Sequence, residues 1–109
     1  RNEILRRTRV QAVNVDIGPI IYTHPIGLHG HAAGTTIGMW DKQDGVPGSG
    51  DYKMNPNTAY SIELTALVSV PEWSSEQLSI KLEEDGFYDG TKFEYIRPRQ
   101  TEYHVIQTD

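Results

Sequence analysis

Hydrophobic and polar positions follow two periods along this chain. Near the start the period is helical: with Asn2 as N-cap and a helix from Glu3, the residues Ile4, Leu5, Thr8, Ala12 and Val15 fall in one stripe while Arg6, Arg7 and Arg9 point away. Gly18-Pro19 ends that helix, since proline cannot continue the backbone ladder. Further on the period is two. Tyr60, Ile62, Leu64, Ala66, Val68 and Val70 share one face of a strand, with Ser61, Glu63, Thr65 and Ser69 on the other. Leu78, Ile80 and Leu82 oppose Ser79, Lys81 and Glu83 in the same way. The β-branched and aromatic run Ile20 to His24 predicts a strand closed by Pro25, and Thr101 to Gln107 predicts a last strand. Asp85-Gly86 and Asp89-Gly90 carry turn chemistry. The order predicts an α+β fold, an N-terminal amphipathic helix packed on the apolar face of a mostly antiparallel sheet. The opposite face then presents Glu63, Lys81 and Glu83.

Between the first and second strands lie seven glycines, at 27, 30, 34, 38, 45, 48 and 50, too many for a regular element, so functional loops are expected there. The stretch has no Gly-Lys-Ser/Thr ending, so its glycines do not signal a phosphate-binding loop. Asp41 to Asp51 is its most turn-rich part and reads as a flap or hairpin connection.

Composition narrows the function classes. At 109 residues and 37% hydrophobic, residues 1–109 form a single domain with enough apolar side chains for one core. With 10 Lys+Arg against 15 Asp+Glu, the net charge of −5 argues against a nucleic-acid or anionic-membrane partner. The lack of cysteine excludes disulfides, thiolate metal sites and thiol catalysis. No apolar run approaches the roughly 18 residues that cross a bilayer. The chain starts with Arg1, not Met, directly at the predicted helix, which points to a piece of a longer protein, for which a cytoplasmic location is expected.

Histidine carries the candidate chemistry. Three of the four, His24, His29 and His31, lie within eight residues at a strand end and in a glycine-rich turn. A histidine cluster beside carboxylates can ligate a divalent metal or move protons. Either Glu63 or Glu83 alone would read as a solvated strand residue, and the isolated His104 as a structural or surface one. Trp40, set in the glycine-rich stretch, points to a ligand contact, whereas Tyr22, Tyr60 and Trp73 fit a core. A serine nucleophile finds no support, because no Gly-x-Ser-x-Gly elbow occurs.

His24-Pro-Ile-Gly-Leu-His-Gly-His31, then Tyr60-Ser-Ile-Glu63, then Lys81-Leu-Glu83-Glu-Asp85 follow in an order that resembles the C-terminal part of the pita-bread metallopeptidases. That family includes Xaa-Pro aminopeptidase, prolidase and methionine aminopeptidase, with creatinase as a metal-free relative. The resemblance implies that the chain is the C-terminal half of such a catalytic domain. It implies His24 as a metal ligand and His31, seven residues on, as the histidine that binds the substrate carbonyl. Glu63 would be a metal ligand and general base, and Glu83 the carboxylate bridging two metals. A bulge near Glu83 would give the bridging place to Glu84. His29 and Trp40 join His31 as implied substrate contacts. Lys81 stands where the family has an arginine, keeping the charge but losing the bidentate fork.

The implied activity is removal of the N-terminal residue from a peptide, with two divalent ions, Mn, Co, Zn or Fe, activating water in the full-length protein. Thr23 and Pro25 flank the first ligand where glycine or histidine is common, and Leu64-Thr65 replaces a Pro-Gly pair. The family's two upstream aspartates have no counterpart beyond Asp16, so the chain alone is expected to hold metal weakly and to be inactive. Its implied partners are the peptide substrate, the missing N-terminal half and, through an unpaired sheet edge, a second copy. The alternative is a non-catalytic pita-bread domain that binds peptides or proteins.

Overall fold

The computed structural model describes Ile4, Arg7, residues 20–102 and residues 104–108. The alternating segments form a four-stranded antiparallel sheet in the order β1 (Ile20–Pro25), β2 (Thr58–Val70), β3 (Glu76–Tyr88) and β4 (Phe93–Tyr95). β2 and β3, 13 residues each, pair along their whole length. Their connection uses a 3-10 turn, Pro71–Trp73, followed by Ser74 and Ser75, both in the left-handed region with φ 58°. Facing residues in an antiparallel pair share a side of the sheet, so the register assigns every side chain to a face. One face carries the rows Ile20-Thr65-Lys81, Tyr22-Glu63-Glu83 and His24-Ser61-Asp85. The other carries Ile21-Leu64-Leu82, Thr23-Ile62-Glu84 and Pro25-Tyr60-Gly86-Tyr95.

The best buried residues sit near the β1 end of the sheet: Tyr60, Pro25 and Ser61 are sealed, with Ile37, Thr35 and His24 close to it. The Tyr60 hydroxyl accepts from the Asn55 backbone N–H at 3.0 Å, which satisfies its polar tip inside the core.

The expected helix-on-sheet architecture is not what the described residues form. Ile4 and Arg7 are helical, but the rest of the predicted helix lies outside the described residues, and Ile4 is 47% exposed. Residues 20–102 instead make an antiparallel sheet and contain no α-helix. The apolar face is met by the segment after β4: Ile21, Ile62, Leu64 and Leu82 line a cavity with Tyr95, Arg99, Gln100 and Thr101. An apolar stripe on a strand requires a cover but does not specify a helix, which is why the pattern misled. The strand expected over Thr101 to Gln107 is likewise absent among its described residues, and the short β4 pairs instead.

Asp85-Gly86 is not a turn either; it lies within β3. Gly86 faces Tyr60 on one side and Tyr95 on the other, and a Cβ there would come within 2.0 Å of the Phe93 ring. Its glycine is required by a ring laid on the strand rather than by a change of direction. The second signal, Asp89-Gly90, does turn the chain: Gly90 has φ +111°, and Asp89 Oδ1 accepts from the Thr91 and Lys92 N–H groups at 2.7 and 2.8 Å.

Candidate functional site

β1 places Tyr22 and His24 on the polar face because they are two residues apart, and β2 places Ser61 and Glu63 beside them for the same reason. The side chains then meet. His24 Nε2 lies 2.9 Å from Glu63 Oε1, while its Nδ1 faces the Pro25 carbonyl oxygen at 3.0 Å. A proton on Nδ1 donated to that carbonyl fixes the ring with Nε2 toward the carboxylate, and Nε2 donates to Glu63 only when it too carries a proton. The Tyr22 hydroxyl donates to the second oxygen, Glu63 Oε2. Both oxygens of Glu63 are therefore held, one from each of two neighbours on β1.

The Tyr22 proton is correspondingly hard to remove. The hydrogen bond to Glu63, then burial, then the charges of Glu63 and Glu83 push its pKa from 10.0 to about 12. In the next row, Ser61 is buried and its hydroxyl donates to Glu83 Oε1 at 3.0 Å. Glu83 thus shares the face of Glu63, whereas Glu84 points to the opposite face beside Ile62.

The loop after β1 brings up His31. Its ring stacks on His24 with centroids 4.2 Å apart and planes 13° apart. A tight reversal allows this: Gly30 N–H bonds to Gly27 O at 3.0 Å with Gly30 at φ +84°, and a Cβ on Gly27 would lie 2.6 Å from the His31 carbonyl oxygen. Ala32 N–H then returns to Pro25 O at 2.9 Å. His29 is exposed in that turn, next to the fully exposed Leu28, and the structure does not bring it to the other site residues. His104 is exposed far along the chain.

A cavity of about 640 Å³ opens over the same face, lined by Tyr22, Glu63, Lys81 and Glu83, with Ile20, Leu67 and Trp40 among its apolar walls. Trp40, 65% exposed, thus borders the carboxylates. Of the residues passed over or read as core, Tyr22 and Ser61 carried a signal, since each is two positions from a candidate ligand in a strand.

The nitrogen and carboxylate donors of His24, Glu63 and Glu83 have the chemistry of a divalent-metal site. Among the described residues, however, no three histidine or carboxylate groups converge on one point: Glu63 is bonded to His24 and Tyr22, and Glu83 to Ser61. The described residues supply donors without closing a shell around an ion.

Comparison with protein-family models, with curated proteins and with solved structures found no match for the chain. No helix among the described residues is long and apolar enough to cross a membrane.

Proposed function

We propose that this chain supplies the histidine and carboxylate side of the active site of a metal-dependent exopeptidase that releases N-terminal residues from peptides, with Xaa-Pro bonds as the substrate class. The supporting observation is that His24, Glu63 and Glu83, far apart in sequence, lie on one face of the sheet, with a buried Nδ1 bond aiming the His24 Nε2 into it. Such an ion, held by these donors together with ligands from outside this chain, supplies Lewis acidity to water and to the scissile carbonyl. Glu63 takes the proton from the attacking water, Tyr22 holds its carboxylate in place, His24 would turn its Nε2 from Glu63 to the ion, and His31 donates to the substrate carbonyl oxygen. The fit is incomplete among the described residues, and the activity is proposed for the intact protein.

The test is hydrolysis of X-Pro peptides by the intact protein with Mn or Co added. Turnover that requires the ion and is lost in Glu63→Ala supports the reading; no turnover with any divalent ion overturns it. A second reading, a domain that binds peptides without cleaving them, is favoured by the direct His24–Glu63 and Ser61–Glu83 bonds, which satisfy these groups without an ion. Metal analysis of the purified intact protein separates the two.

A further inference from the structure

The outer edge of β1 would be an open row of peptide groups, yet each is occupied. Thr23 exchanges both backbone bonds with Ile37 at 3.1 Å, and Pro25 O accepts from Ala32. At Ile21 the partner is a side chain: Gln43 Oε1 accepts from Ile21 N–H at 3.1 Å, and Gln43 Nε2 donates to Ile21 O at 3.0 Å and to Met39 O at 2.8 Å. The Gln43 amide therefore acts as one peptide unit of a missing strand. Met39 and Lys42 close a tight turn by two reciprocal backbone bonds of 3.0 Å, with Trp40 at its tip. Fixing Met39 O to β1 fixes that turn, and with it the ring at the wall of the cavity over Tyr22, Glu63 and Glu83.

We propose that Gln43 is a positioning residue that holds Trp40 as the side wall of the peptide groove, where the ring, with Ile20 and Leu67, receives an apolar side chain of the substrate's N-terminal residue. This rests on the exopeptidase reading for its substrate but not for its geometry. Pre-ordering the wall removes the cost of ordering it when peptide binds. Trp40 is the contact, and Gln43 acts through it.

The experiment uses intact protein grown with 5-fluorotryptophan, the Trp40 fluorine signal being assigned by Trp40→Phe. In the native protein a broad, shifted Trp40 signal is expected. Gln43→Met keeps the length but loses all three bonds and should narrow the signal and move it to that of a free indole, with the far-ultraviolet circular dichroism unchanged. Gln43→Glu, which sets a carboxylate against two carbonyls, should do the same and serves if the first variant does not fold. In parallel, native enzyme should favour Leu-Pro over Gly-Pro peptides, and Gln43→Met should reduce that preference about tenfold through KM, with kcat little changed. An unchanged Trp40 signal in a folded Gln43 variant overturns the inference. An enzyme that cleaves neither peptide overturns the exopeptidase reading instead, while the fluorine signal still decides the role of Gln43.

Discussion

The two faces of the sheet are built on the same strands and finished in opposite ways. On one, Tyr22, His24, Ser61, Glu63 and Glu83 are tied by directed hydrogen bonds, each donor matched to an acceptor. On the other, Ile21, Ile62, Leu64 and Leu82 meet an irregular segment that leaves Leu82 56% and Ile80 44% exposed. Apolar packing is non-directional and tolerates an approximate cover, whereas a buried polar group without its partner costs about 1–3 kcal/mol. The well-determined face is the one with candidate chemistry. Substitutions on it should therefore change activity as well as stability, and those on the other face stability alone.

Glu63→Ala in the metal-loaded intact protein should break that comparison most sharply. It is expected to lower kcat/KM by about 10³-fold, the scale of a lost general base. Because it also leaves His24 and Tyr22 without their partner, the unfolding free energy should fall by about 1–3 kcal/mol; normal activity per folded molecule would reverse the roles of the faces. On the apolar side, Gly86→Ala drives a methyl into the Phe93 ring and should cost about 1–3 kcal/mol in a denaturant titration, with kcat/KM preserved.

Period two in the sequence was enough to place the centres of β2 and β3, though not the end of β3, and to put Glu63 and Glu83 on one side, and parity separated Glu83 from Glu84. What parity could not supply was the identity of the cover. The same apolar stripe suits a helix or an irregular segment, and the residues after β4 met it. Gly86 was misread because glycine serves both turns and close ring approaches, and only Phe93, seven residues on, tells them apart. Of the candidate site, the cluster holding His24 and His31 stood out by type and spacing, whereas Glu63 and Glu83, each alone a solvated strand residue, were singled out by the resemblance. The clamp from Gln43 to Ile21 did not stand out, since a glutamine amide replacing a strand has no local pattern.

Two titrations sharpen the comparison further. In the folded chain Tyr22 keeps its proton to about 12 against 10.0 when unfolded, so its contribution to stability is full below pH 10 and is lost as pH rises from there toward 12. Tyr22→Phe should remove a component ionising near pH 12 from an ultraviolet phenolate titration; an unchanged curve would detach Tyr22 from Glu63. The smallest effect belongs to Asp89, whose carboxyl is held below its usual 3.8 by N–H bonds from Lys92 and Thr91. A lowered value contributes stability above the unfolded pKa that is lost as pH falls through the folded one. Asp89→Ala should therefore lose a little stability at neutral pH and lose less on acidification than the parent, with the polar face unaffected.

The central claim is that the polar face is one half of a metal site, and anomalous X-ray diffraction from crystals of the intact protein grown with Mn tests it most directly. The expected result is a peak touching His24 Nε2, Glu63 and Glu83, with the direct His24–Glu63 bond opened to admit the ion. A protein that binds no Mn, or binds it away from these three residues while that bond stays closed, would contradict it.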